Sequence, residues 1–452
     1  MNATRRPLGI FTTALLAAFV FCVLPSLLSC GGGNPSKPEF SLIYYDGHMH
    51  TSRSDGTGSV VDIKETALAR GLSAVIITDH CEDLTAEEWD SLVAEAEAAT
   101  DDSFLVLVGF ENTGWESATA PPMRDHFLAY NAPSLYAKEQ VCISRQWPSA
   151  PNVSGTGPTN PEFLTKWVDW IHSEGGIAVH AHPAGSTQPE YGADLIEIWN
   201  QSTVNDVAKV AAGLGYSGPE AWQLGVMFND TAIYGERDLA VTVPFKVDGT
   251  EELPFRQVVN RLTALIPPLY VGQWLGSPEA PLRSWDDLLL AYVSGTVSRP
   301  IFAVADTDAH NAGGPDSIVG SAKTGVYLKS LSADELYAAI KEGRSFATTG
   351  PSLAFDVNGA LMGDTASIPG GGSAKLRLNV KAETDGFTVA EVRVIKDGEV
   401  WQTIKPLKAT YEATLEDESV TQDGYYRVEV IASDDAGNYQ FAWSNPVFVK
   451  IG

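Results

Sequence analysis

The sequence predicts an α/β body followed by an all-β domain, and three observations carry that prediction. Between Ser41 and about Tyr130, short continuous apolar runs alternate with helical ones, the pattern of buried parallel strands joined by helices. After Gly350-Pro351 the chain changes to short alternating runs rich in Thr, Val and aromatic residues. The third observation is where the chemistry falls. Seven of the eight histidines lie at the carboxyl ends of predicted strands or just beyond, where sites in α/β barrels collect.

Taken in order, Ser59 to Arg70 reads as a helix ended by Gly71, and Ala74-Val75-Ile76-Ile77-Thr78 as a buried strand. Thr85-Ala86-Glu87-Glu88 is a capping box that opens a helix to about Ala99, and Phe104 to Phe110 is the next strand. His126 to Tyr130 is a shorter one, and the strands are expected to pair in parallel. Residues 131–160 hold Pro, Ser, Gly and Asn without clear period and read as an excursion or lid. Asn160-Pro161 caps a helix to Glu174, Ile177 to His180 begins another strand, and Leu195 to Asn200 forms a further one. Residues 201–295 read as a mostly helical insertion with a Pro-rich, aromatic middle. Strands resume at Pro300 to Ala305 and Gly325 to Leu328, and Ser332 to Glu335 caps a last helix reaching Glu342. Residues 351–452, with turns at Asp397-Gly398 and Asp435 to Asn438, read as an immunoglobulin-like β-sandwich of about 100 residues.

At 452 residues the chain is too long for one ordinary core, so two or three domains are expected. An apolar content of 44% with 41 glycines excludes a disordered or fibrous chain. The formal charge of -27 argues against a nucleic-acid partner, whose phosphate backbone needs a basic surface.

Arg5 and Arg6 precede an apolar run from about Leu8 to Leu28, followed by Leu27-Leu28-Ser29-Cys30-Gly31. That order resembles a bacterial lipoprotein signal over residues 1–30, with Cys30 lipidated and residues 31–39 a flexible tether. An uncleaved membrane anchor is the alternative, since about 20 apolar residues could span a bilayer. Either reading places the body, residues 40–350 and the domain after it, outside the cytoplasmic membrane. Cys81 and Cys142 could pair there, although no spacing framework supports it. A buried inert thiol is the expected state of Cys81.

The candidate site begins at Asp46-Gly47-His48-Met49-His50. Strand side chains alternate faces, so His48 and His50 point the same way, and the turn that follows can return Asp55 to them. His80 ends a strand, with Asp79 placed to orient an imidazole rather than bind an ion. Glu111 ends the next strand, and its carboxylate can bridge two cations. His126 opens another. His180-Ala181-His182-Pro183 repeats the i, i+2 device, and Asp308 with His310 gives it a third time. Histidine and carboxylate ligands together suit Zn, Mn or Fe.

This succession resembles the signature of the polymerase and histidinol phosphatase (PHP) superfamily: H-x-H, an Asp, an Asp-His, a Glu, a His, a His-Pro and a final D-x-H. The resemblance covers roughly residues 40–350. It implies a distorted seven-stranded βα barrel with a two- or three-metal centre. Its ligands would be His48, His50, Asp55, His80, Glu111, His126, His182, Asp308 and His310, with His180 a surrounding group or an outer ligand. The run Gly343 to Pro351 followed by a sandwich looks like the branch that includes carbamate hydrolases as well as predicted phosphoesterases.

The expected activity is metal-dependent hydrolysis through a hydroxide bridging two or three divalent ions, with Glu111, Asp308 and His310 as candidate catalytic groups. Three ions of about +6 against Asp55, Glu111 and Asp308 leave the pocket near +3, so an anionic ester, a phosphoester above all, is the expected small-molecule substrate. Arg53, Arg124 and Arg145 are candidate phosphate clamps, and Glu197 and Asn200 candidate substrate contacts. The same site could instead cleave a carbamate, amide or carboxylic ester. A reading of another class is a non-catalytic surface binding protein.

Overall fold

Local sequence signals set the elements. The computed structural model describes residues 40–81, 83–112, 126–132, 160–183, 191–213, 215–234, 246–247, 251–252 and 284–452. Strand β1 (Ser41–Asp46) leads to helix α1 (Val60–Ala69), which Ser59 and Asp62 open with reciprocal side-chain to backbone bonds. β2 (Ala74–Ile77) follows, then α2 (Ala86–Ala99), opened in the same way by Thr85 and Glu88. β3 (Leu105–Asn112), β4 (His126–Tyr130), α3 (Asn160–Ser173), β5 (Ile177–Ala181) and β6 (Leu195–Asn200) complete the first part. α4 (Gln201–Gly213), α5 (Gly218–Tyr234), the two-residue strands β7 (Lys246–Val247) and β8 (Glu251–Glu252), and α6 (Trp285–Val293) occupy the expected insertion. β9 (Phe302–Asp306), β10 (Lys323–Leu328), α7 (Ala333–Lys341) and β11 (Ser345–Thr348) close the α/β part.

The strands follow the order β11, β10, β1, β2, β3, β4, β5, β6, β9. β1 to β3 pair in parallel, as do β5, β6 and β9. The all-parallel expectation fails at β4, which runs antiparallel to both β3 and β5, and at β10, which runs antiparallel to β1 and β11. A fully apolar run has the same signature in either direction, and an antiparallel neighbour needs no crossover helix. The reversal matters for the site. His126, the first residue of β4, pairs with Ala181 at the end of β5 and so lies at the same end as its neighbours' last residues.

The two ends of this path meet through side chains. Thr324 Oγ1 on β10 accepts from Ala305 N at 2.9 Å and donates to Ala305 O at 3.1 Å. Asn445 accepts from Ala303 N at 2.7 Å and donates to Ala303 O at 3.1 Å, and it also donates to Ser345. The free edge of β9 is thereby covered rather than left as an open template.

Beyond Pro351 the chain is all strand. β12 (Ser352–Val357), β13 (Ala360–Leu361), β15 (Ala374–Lys381) and β18 (Thr410–Asp417) form one sheet. β14 (Thr365–Ile368), β16 (Thr388–Lys396), β17 (Glu399–Ile404), β19 (Gly424–Ser433), β20 (Tyr439–Ser444) and β21 (Val447–Ile451) belong to the other. Leu353, Leu376, Val392, Val428 and Val449 share the apolar cluster between them. The second sheet is continuous with the first part, because β11 pairs with both β10 and β20. Alternation along β11 places Phe346 in this cluster and Ala347 in that of the α/β part.

Cys81 is disulfide-bonded and fully buried, which corrects the inert thiol expected from the sequence. Its partner lies outside the described residues, as do Cys30, residues 1–39 and most of the expected excursion at 131–160. Among the described residues no helix is long and apolar enough to cross a membrane.

Candidate metal centre

Past β1 the chain stays extended. His50 N donates to Ala309 O at 2.9 Å, and Thr78 N donates to Met49 O at 2.9 Å. Alternation then sends Met49 into an apolar cluster with Val60 and Ala309 and turns His48 and His50 to the other face, their ring centroids 5.3 Å apart. The turn after them is tight. A Cβ at Gly56 would stand 2.2 Å from His50 O, so only glycine fits the close approach that returns Asp55.

The nine side chains singled out by the sequence converge. Donor atoms lie within 4.8 Å of one another in three overlapping groups that could each hold an ion. One is His50, Asp55, His80 and His310; another is His48, His50, Glu111 and Asp308; the last is Glu111, His126 and His182. His50 and Glu111 are shared. His48 Nε2 lies 3.2 Å from Glu111 Oε2 and 3.4 Å from Asp308 Oδ1, and His50 Nε2 lies 3.3 and 3.1 Å from the same two atoms. His80 Nδ1 stands 3.2 Å from Glu111 Oε2, and His126 Nδ1 2.7 Å from Glu111 Oε1. Asp55 is 3.4 Å from His80 Nε2 and 3.3 Å from His310 Nε2.

These residues fit divalent ions. Ligands about 2.0–2.2 Å from one tetrahedral ion stand about 3.4 Å apart, close to most of these separations. His48 Nε2 is buried without a hydrogen bond although carboxylate oxygens surround it, which suits a nitrogen whose lone pair faces a shared cation. The charges respond to each other. Burial opposes ionisation of Glu111, Asp308 and Asp55, but the surrounding histidines hold all three below the ordinary carboxylate range. Burial also opposes protonation of His48, yet Glu197, Asp308 and Glu111 raise it well above its usual value. His310 is pushed up to about 9, its own burial being outweighed by Asp55 and Asp308. His126 is the exception, its burial holding it down.

The surrounding groups behave differently from expectation. Asp79 orients no imidazole directly. Its carboxylate accepts from Thr51 N at 2.7 Å, Thr51 Oγ1 at 2.6 Å and Ser54 Oγ at 2.6 Å, fixing the turn that carries Asp55. His180 does not join the groups; its ring stacks on Phe127 at 4.7 Å, beside Tyr191. The i, i+2 rule fails there because His182 has left the strand, with a positive φ of 27°. Arg53 is turned to Glu95 and Ser91 on α2. Asn200 donates to Glu197 at 3.0 Å and accepts from Thr203 N at 2.9 Å, holding a carboxylate and the start of α4. Arg124 and Arg145 lie outside the described residues.

Asp46 had no assigned part in the sequence reading, and Glu197, expected there to touch substrate, is instead buried against His48. Asp46 accepts from Thr307 N and Oγ1, at 3.1 and 2.6 Å, and from Gly320 N at 2.9 Å, so the last residue of β1 positions the loop bearing Asp308 and His310. Glu197 accepts from His48 Nδ1 at 2.7 Å. Asp46 ends β1 and Glu197 lies inside β6, an acid within an otherwise apolar run, and those positions were the available signals.

Fold and site together define a mixed α/β scaffold whose strand ends gather histidines and carboxylates able to bind metal. The family model of the PHP domain matches residues 46–141. Among solved structures, the chain is similar to a two-domain protein from Bacteroides vulgatus ATCC 8482 containing a predicted PHP-like metal-dependent phosphoesterase. Identity is 13%, the match covers 87% of this chain and 91% of that one, and the TM-score is 0.36. It is also similar to a protein from Bifidobacterium adolescentis ATCC 15703 predicted to be a metal-dependent phosphoesterase, at 17% identity over 49% of this chain and 96% of that one, with a TM-score of 0.22. An amidohydrolase from Chromobacterium violaceum matches at 20% identity, over 37% of this chain and 81% of that one, with a TM-score of 0.24. No curated protein matches the chain.

Proposed function

We propose that this chain is a metal-dependent hydrolase acting on phosphoesters, with its nine converging side chains holding three divalent transition ions, Zn, Mn or Fe. The observation that carries the reading is the overlap of the three donor groups through His50 and Glu111. Two shared residues make the groups one centre rather than three separate sites. When bound, the ions would supply Lewis acidity toward the substrate's oxygens and lower the pKa of a bound water.

The chain's own residues do the rest. Glu111, 1% exposed, presents Oε2 to His48, His50 and His80 and Oε1 to His126 and His182, so one carboxylate spans all three groups. Asp308 faces His48 and His50 while its positive φ of 54° turns the loop so that His310 reaches Asp55. At 40% side-chain exposure, His310 stands at the open side of the centre, where a substrate would enter.

A carbonyl substrate, carbamate or carboxylic ester, is the second reading, and one observation favours it: Arg53 is engaged by Glu95 instead of being available to a phosphoryl oxygen. We also read the strand path as a distorted barrel, the residues after Pro351 as a β-sandwich domain, and residues 1–39 as a lipoprotein signal and tether that would hold an exported protein at a bacterial membrane. Elemental analysis of purified protein, followed by assay of the ion-loaded form on p-nitrophenyl phosphate, bis-p-nitrophenyl phosphate and a naphthyl carbamate, tests the proposal. Three ions per chain with phosphoester turnover is the expected result. Turnover of the carbamate alone would replace the phosphoesterase reading by the second, and a protein without stoichiometric ions would end both.

A further inference from the structure

Glu197 is buried to 1% exposure within β6 and takes no part in the chemistry above. Three donors converge on its two oxygens. Oε1 accepts from His48 Nδ1 at 2.7 Å, and Oε2 accepts from the His182 backbone N–H at 2.8 Å and from Asn200 Nδ2 at 3.0 Å. The first bond fixes the tautomer of His48, leaving the Nε2 lone pair toward Glu111 and Asp308. The second pins the backbone of a residue held at positive φ, so that the His182 ring reaches Glu111, 3.3 Å away, instead of continuing the strand.

His48 and His182 belong to different donor groups, while the group of His50, Asp55, His80 and His310 contains neither. That third group has its own anchor, the Asp79 carboxylate that holds the Asp55 turn. We propose that Glu197 is the positioning residue that sets the ion affinity of two of the three groups together, leaving the third to Asp79. The inference rests on the metal-centre reading given under the proposed function.

The chemistry requires a carboxylate rather than a group of similar size. A glutamine has one acceptor oxygen and one NH2 for three incoming donors. If its oxygen faces His48, its NH2 meets the His182 N–H and the Asn200 amide, donor against donor. If it turns over, the NH2 donates to His48 Nδ1 and puts the proton on Nε2, where no ion can then bind.

The test is a Co2+ titration of the metal-free full chain, with absorption reporting coordination and elemental analysis counting bound ions. Glu197→Gln is expected to weaken two ions by about 10–100-fold, the usual cost of losing such an outer partner, and to leave one ion at wild-type affinity. Asp79→Asn is expected to do the reverse, weakening one ion and sparing two. Glu197→Asp, which keeps two acceptor oxygens on a shorter stem, should retain more affinity than the glutamine variant. Wild-type affinity for every ion in Glu197→Gln, an equal loss at all of them, or better binding by glutamine than by aspartate would overturn the inference. If thermal melting shows the glutamine variant unfolded, the aspartate variant carries the test: selective weakening of two ions supports the assignment and uniform weakening refutes it. Failure of the unmutated chain to take up Co2+ would instead remove the metal-centre reading itself.

Discussion

His310 carries a pH consequence that belongs to the metal-free protein. Its folded pKa of about 9 lies above its ordinary 6.5, because Asp55 and Asp308 favour the charged ring more than burial opposes it. A raised pKa means that the folded state holds the proton more tightly. The stability this group supplies is therefore complete below about pH 6.5 and lost as pH rises through about 9. With 40% of the side chain exposed, solvent screening keeps the gain modest. Urea midpoints measured in chelator should fall between pH 6.5 and 9, and ion affinity should rise over the same window as protons cease to compete. A midpoint rising across that range would show the pairing to be absent. At this scale the donors were legible because H-x-H on an extended segment must put two rings on one face. The roles of Glu197 and Asp46 were not, since an acid in or at the end of a strand reads the same whether it meets substrate, a loop backbone or the second nitrogen of a histidine.

At the scale of elements, sequence located most strands of the α/β part, β11 and the two-residue β7 and β8 excepted, but not all of their directions. The buried residues of β4, Phe127 to Tyr130, form an apolar run with no polarity to reveal which way it points. The closure of β9 was equally hidden, because it depends on Asn445, some 140 residues downstream, whose side chain takes the place of a neighbouring strand. Asn445→Ala would leave Ala303 N–H and C=O buried without those partners and remove two bonds to Ser345. Each orphaned buried group costs about 1–3 kcal/mol. The variant should lose at least that much in urea unfolding and show faster amide exchange at Ala303, ahead of the loop that bears Asp308. Unchanged exchange at Ala303 would mean that the edge is protected by something other than Asn445.

For the whole molecule, the change of character after Pro351 suggested a separable domain, yet two features bind the parts into one sheet and one ion-pair network. β11 is shared by ladders on either side. Asp286, in the first turn of α6, accepts from Arg427 Nε at 2.8 Å and Nη2 at 2.6 Å and from Tyr425 OH at 2.6 Å, all three side chains buried. Arg427 Nη1 donates to Glu429 at 2.6 Å, and the guanidinium lies 5.1 Å from the Trp285 ring centroid. Such a pair adds little beyond well-packed apolar residues, but breaking it strands a charge in the interior, at about 3–5 kcal/mol. Asp286→Ala should therefore lower the stability of the α/β part and the strand-rich part together, as one calorimetric transition displaced to lower temperature. The double replacement Asp286→Leu with Arg427→Met keeps volume but also takes from buried Glu429 its bond to Arg427, so it should recover only part of that loss. Two resolved transitions, with only one displaced by Asp286→Ala, would show that the parts unfold independently and that the shared strand transmits no stability between them.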